Sequence, residues 1–263
     1  LTVCNRLVYF TFTNLRPSSP YECWTERGRR SFFAERGFRK NAKGRTAGSK
    51  SAKEGVEMYD VLIVGAGPGG IFTAYELLEK RPDLSIAIFE MGNELEKRHC
   101  PIDGDKIKSC IRCKHCSIMS GFGGAGAFSD GKYNITNDFG GTLYEYIGKK
   151  PALELMEYVD KINLAFGGEG TKLYSTAGSS LKTSCMQNGL HLLDASVRHL
   201  GTDINYIVLK HLYDHLKNKV EFHFNCFIDR VEKLDNGYRI YHESTAYEGK
   251  ECVISAGRSG SKW

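Results

Sequence analysis

The chain has 263 residues, 41% apolar and 25% charged, the make-up of globular material large enough to bury a real core. Its net charge of +5 is uneven: residues 1–57 hold 12 Lys/Arg against 5 Asp/Glu, a balance of +7, and the remainder holds 24 against 26, a balance of −2. A near-neutral body argues against a nucleic-acid surface, and no apolar run approaches the roughly 20 residues that cross a bilayer, so a cytoplasmic protein with no membrane partner is expected.

Residues 1–57 mix Arg, Ser, Gly and aromatics without sustained periodicity, and the first methionine is Met58. Lys53-Glu54-Gly55 can be encoded by a purine-rich run like a bacterial ribosome-binding site. This segment is expected to be a leader of translated upstream sequence, outside the working protein. Five acidic residues count against a transit peptide. A basic nucleic-acid arm is the third option.

Val61 to Val64 form an apolar, mostly β-branched run, as in a parallel strand buried on both faces. Gly65, Gly67 and Gly70 follow as G-x-G-x-x-G, with Pro68 and Gly69 between. The first glycine allows a tight turn, the second a close approach of pyrophosphate, and the third close helix–strand packing. Ile71–Lys80 carries apolar residues at helical spacing, so its N-terminus directs N–H groups and about half a positive charge at the phosphates. A second strand, Ser85 to Phe89, ends at Glu90, 20 residues past Gly70. A carboxylate there suits a ribose hydroxyl pair and argues against a 2′-phosphate. The bland alternative is a glycine-rich turn in an α/β domain with no ligand.

Glu94 to Arg98 is a charged stretch, and Cys100, Cys110, Cys113 and Cys116 follow it. Nine cysteines, an odd number with no signal peptide, argue against a disulfide framework. Two overlapping C-x-x-C spacings plus a fourth cysteine supply four thiolates, the number that an iron–sulfur cluster or a structural zinc takes. Redox-active thiols and plain reduced cysteines are the other readings. Gly121 to Gly126 repeats G-x-G-x-x-G, but no strand precedes it and Ser129-Asp130-Gly131 opposes a helix. It reads as a loop lying against a flat ligand, with the N–H groups of Gly123, Gly124, Ala125 and Gly126 aimed at a ring or a pyrophosphate.

Together Val61–Gly70, Glu90, the cysteine cluster and Gly121–Lys132 resemble the bacterial family of uncharacterised FAD-dependent (NAD(FAD)-utilising) dehydrogenases. That family is similar to the glutathione-reductase-type flavoproteins. The resemblance covers Met58 to the end. It implies an α/β fold: a Rossmann-like FAD-binding domain with an inserted, incomplete substrate-side domain. It also implies FAD as cofactor and redox chemistry on a small molecule, with NAD(P)H or an electron-transfer partner as donor. By the same resemblance Arg98 (or Lys97) reaches the cofactor, Ile228 presents its backbone to adenine, and Ala256-Gly257 closes a strand against the flavin. The domains are expected at 58–150, 151–218 and 219–263.

Pro151–Phe166 reads as an amphipathic helix ended by Gly167-Gly168. Arg198 and His199 are candidates for binding an acidic substrate or moving a proton; the alternative is surface polarity before a helix capped by Thr202 or Asp203. That helix has Ile204, Ile207, Val208, Leu212 and Leu216 as its core face. A strand is expected from Lys219 through Val231, and Asp235-Asn236-Gly237 signals a hairpin. Thr245 leads into a last strand ending near Gly257. The later Gly-Asp strand of glutathione-reductase-type FAD domains is missing, so a truncated frame is expected. Two other functions compete: a flavin-dependent RNA-modifying enzyme, disfavoured by the charge of the body, and a non-catalytic FAD- or metal-binding redox sensor.

Overall fold

The computed structural model describes residues 58–262; the expected leader lies outside them. Strand β1 (Met58–Val64) leads into helix α1 (Pro68–Lys80) and strand β2 (Ile86–Phe89). β1 and β2 pair in parallel, Val61 opposite Ile86 and Val64 opposite Phe89. Leu62, Ile63, Ala87 and Ile88 are fully buried, as strands covered on both faces require. Ile71, Ala74 and Leu78, one stripe of α1, close one face of the sheet.

The chain then supplies β3 (Lys132–Ile135), α2 (Leu143–Ile147), α3 (Lys149–Asn163), β4 (Leu173–Ser175), α4 (Leu181–Gln187), β5 (Ser196–His199) and α5 (Gly201–Leu216). β3, β5 and β4 form a small antiparallel sheet, which draws strands from both sides of residue 150. α3 passes into a wider turn at Leu164–Gly168, where Gly167 takes φ +118°. The buried face of α5 is Asn205, Val208, Leu209, Leu212 and Leu216. Val208, Leu212 and Leu216 are buried and Ile204 packs against the core as expected, but Ile207 is 42% exposed; the helix starts at Gly201 with Leu200 as its cap, not at Thr202 or Asp203.

β6 (Val220–His223), β7 (Arg230–Leu234), β8 (Gly237–His242) and β9 (Thr245–Ile254) complete the main sheet, in the order β6-β2-β1-β9-β8-β7. Its first four strands are parallel and the last two antiparallel, so the fold is α/β with a parallel core. The hairpin turns at Asp235-Asn236 as expected. The single strand expected from Lys219 to Val231 is instead broken after His223. Asn225 takes φ +53°, its N–H donates to Gly92 O, and that of Cys226 to Glu90 O, so the chain bends across the end of β2. Among the described residues no helix is long and apolar enough to cross a membrane.

Candidate functional site

The parallel strands β1, β2 and β9 all point their C-terminal ends at one place, where a crevice in such sheets takes ligands. Gly65 leaves β1 with φ +104°, and a Cβ there would stand 2.4 Å from Ser255 O. Its N–H donates to Phe89 O at 2.7 Å, and Ser255 N–H donates to Val64 O at 2.7 Å, so the turn is held between its two neighbouring strands. A Cβ on Gly70 would lie 2.0 Å from Gly65 O; α1 seats against the turn because residue 70 has none. Gly67 caps α1, Pro68 opens it, and the first turn has neither a side-chain cap nor an acidic residue. Its positive end, with the donors of Gly69 and Gly70, is therefore uncompensated by its own sequence.

Glu90 follows β2 and is buried. Its Oε2 accepts the Ala66 N–H at 2.8 Å, and its Oε1 accepts those of Gly92 and Gly121, both at 2.9 Å. The carboxylate thus stands at the glycine turn and clamps three separate segments. A carboxylate has about four acceptor positions; one remains, on Oε2 beside Ala66.

The second glycine loop packs directly on the first. Gly123 N–H donates to Ala66 O at 2.8 Å, and the Cβ position of Gly124 lies 3.1 Å from the Gly67 Cα. Gly124–Gly126 is a single 3₁₀ turn with Ala125 exposed. Asn205 Nδ2 donates to Gly126 O and Ala127 O at 3.0 and 3.2 Å, while its Oδ1 accepts from the Tyr133 hydroxyl at 3.0 Å. Sequence reasoning missed Asn205. Its signal was available: a polar residue in register with the apolar stripe of α5.

Arg98 is buried beneath this loop. Nε donates to Ser117 O at 2.9 Å, Nη1 to Phe122 O and Gly124 O at 2.6 and 2.9 Å, and Nη2 to Ile118 O at 2.9 Å. The guanidinium carbon also lies 4.9 Å from the centre of the Phe128 ring. Four of its five donors hold backbone carbonyls, so its place is under the glycine loop. Burial pushes its pKa down to about 10, against the pull of Glu90, and it stays charged at neutral pH.

Ala256 and Gly257 follow β9 beside Gly65, and a Cβ on Gly257 would meet nothing within 4 Å. Ile228 is buried in the second core cluster, with Cys226 and Ile240. Arg198 is not surface polarity. It lies on β5, 7% exposed, with Nε and Nη2 on the two oxygens of Asp160 at 2.6 and 2.8 Å and Nη1 on Thr171 O at 2.6 Å. Its charge is spent on holding α3 to the small sheet. His199, next to it, is exposed and opposite Lys132.

Cys100, Cys110, Cys113 and Cys116 line one cavity of about 70 Å³. All four are free thiols; Cys116 is half-buried and the others are exposed. Among the described residues no three Cys, His, Asp or Glu side chains already stand together as an ion's ligands.

No family model matches the chain, and no curated protein is significantly similar to it. Among solved structures it is similar to NikD, an unusual amino acid oxidase of nikkomycin biosynthesis, at 12% identity and TM-score 0.40, over 76% of this chain and 52% of that one. Glycine oxidase from Geobacillus kaustophilus matches at 15% identity and TM-score 0.40, over 75% and 55%. Halogenase PltM, solved with phloroglucinol and FAD, matches at 16% identity and TM-score 0.35, over 75% and 34%. The chain spans about half or less of the length of these proteins, and likeness at these scores carries no argument about its activity.

Proposed function

We propose that the chain is the FAD-binding body of a flavin-dependent oxidoreductase acting on a small molecule. The observation that carries the reading is the Glu90 carboxylate standing 2.8 Å from the Ala66 amide, inside a glycine turn at the C-terminal edge of parallel strands. The residues fit the cofactor. The uncapped start of α1, with Gly67, Pro68, Gly69 and Gly70, suits a pyrophosphate. The remaining acceptor position of Glu90 suits a ribose hydroxyl. Gly123 to Gly126, fastened by Arg98 and Asn205, offer close backbone approach beside Gly67, and Ala256-Gly257 flank the turn from β9. Bound FAD supplies hydride or electron transfer, while the protein supplies position and electrostatics.

NADH or NADPH is the proposed electron donor, docking transiently, since the second G-x-G-x-x-G lacks the strand and helix of a nucleotide-binding unit. The test is FAD titration of the purified protein, followed by NADH and NADPH under anaerobic conditions. Quenching of flavin fluorescence and bleaching of its absorbance by one nucleotide are expected. Protein that leaves FAD fluorescence unchanged overturns the reading; flavin that binds but is reduced by neither nucleotide removes the donor assignment alone.

A further inference from the structure

We propose that Cys100, Cys110, Cys113 and Cys116 are the four ligands of a tetrathiolate centre for a thiophilic metal, zinc or iron. The inference is independent of the flavin reading.

The first ground is convergence. These four cysteines, spread over 17 residues of sequence, line one cavity together with Pro101, Ile102 and Ile111. The spacer between the first two is folded back: the Asp103 carboxylate accepts the N–H groups of Asp105 and Ile107 at 2.9 and 2.8 Å, and Asp103 N–H donates to Ile107 O at 3.2 Å. That turn brings Cys100 to the same cavity as the C-x-x-C-x-x-C run.

The second ground is the shape of that run. Arg112, a non-glycine residue, takes φ +53°, a conformation that costs free energy in an L-residue. In that bend its N–H donates to Cys110 Sγ at 3.4 Å. Backbone N–H to sulfur hydrogen bonds of this kind are among the features that tune metal–sulfur centres.

The third ground is that the segment has no regular secondary structure to hold the cysteines in place. Between the 3₁₀ turn Leu95–Lys97 and the one at Gly124–Gly126 the chain forms no helix or strand. Ile102 and Ile111 are 41% and 57% exposed. Structureless runs of this length are uncommon in compact domains unless functional, and a structural metal is one way such a run gains stability. The centre also has counter-charge at hand: Arg112 and Lys114 lie within the loop, and the buried Arg98 holds the carbonyl of Ser117, the residue after Cys116. About 70 Å³ is roughly twice the liquid volume of one water, room for the sulfurs to close on a metal. Because the four thiols do not yet stand at ligand distance, loading draws the loop inward. Each thiol gives up its proton to solvent as its sulfur binds.

The test uses the full chain, purified reduced and without air. Elemental analysis is expected to give a constant metal content per chain, with three further signs. The metal-free protein titrated with cobalt(II) develops the absorption of a tetrahedral cobalt thiolate. Loading shields four thiols from iodoacetamide, counted by mass. The substitution C113S lowers metal affinity on the order of a hundredfold or more, whereas C185S, in α4, leaves it unchanged. Zinc without acid-labile sulfide identifies a single structural ion, and iron with sulfide a cluster; either supports the proposal. Protein that takes up neither metal and gives no cobalt–thiolate absorption overturns it, as does equal loss in C113S and C185S. Should C113S not fold, the thiol-protection count on the unmodified chain decides.

Discussion

Replacing Glu90 by Gln isolates the contribution of one carboxylate. In the native structure it receives three backbone N–H groups. An amide keeps one oxygen. Left at the Oε1 position, that oxygen still accepts from Gly92 and Gly121, but as a neutral acceptor, which costs about 1 kcal/mol for each bond. The NH2 group then faces the Ala66 N–H, donor against donor, and leaves a buried amide unpaired at about 1–3 kcal/mol. The sum is about 3–5 kcal/mol, a large part of the 5–15 kcal/mol of ordinary domain stability. In thermal unfolding it corresponds to a fall on the order of 10 °C. Urea unfolding of E90Q against the unmodified chain measures it, with Glu157→Gln, at an exposed position of α3, as control. A lowered midpoint with unchanged slope is the expected result. A loss below about 1 kcal/mol refutes the clamp, because three buried charge-assisted bonds cannot be exchanged for two neutral ones at that cost.

Gly67→Ala and Gly70→Ala should separate binding from folding: a Cβ at 67 meets nothing nearer than 3.9 Å and one at 70 meets Gly65 O at 2.0 Å, so G67A unfolds as the parent does but loses FAD quenching, whereas G70A loses about 1–3 kcal/mol or more in urea. Arg198→Met leaves Asp160 buried and unpaired and is expected to cost about 3–5 kcal/mol, and the double change R198M/D160L to recover most of it; equal losses in single and double variants would remove the ion pair from the account of α3. Burial pushes the Cys252 thiol up to about 12, above its unfolded value near 9. The folded state therefore holds its proton longer, and the contribution present below pH 9 is lost as pH rises from 9 toward 12, at about 1.4 kcal/mol per pH unit. Urea midpoints of C252A and the parent across that window should converge as pH rises, and parallel curves would contradict the assignment.

The elements legible in the sequence are those whose signal is local. Val61–Val64, the three glycines and Glu90 sit within 30 residues, and each has a steric or electrostatic requirement that its residue type announces. Asp235-Asn236-Gly237 announces its hairpin in the same way. What escaped is set by partners far along the chain. Arg98 is expected by resemblance to reach the cofactor, and its hold on Phe122 O and Gly124 O is set by residues 24 and 26 positions later. Arg198 acquires its meaning from Asp160, 38 residues earlier. The small sheet escaped because its strands run three or four residues, too short to show alternation. The burial of Asn205 on α5 escaped because its partners, Gly126 O and Ala127 O, lie 79 and 78 residues earlier.

β9 is bonded along both flanks, in parallel to β1 and antiparallel to β8, so the hairpin of β7 and β8 occupies a border that would otherwise offer unpaired amides to other chains. The borders that remain are β6, four residues long with Glu221 in it, and β7, which reads Arg-Val-Glu-Lys-Leu. Short, charged margins of this kind resist the docking of foreign strands. Aggregation by strand-to-strand pairing along these margins is thereby disfavoured.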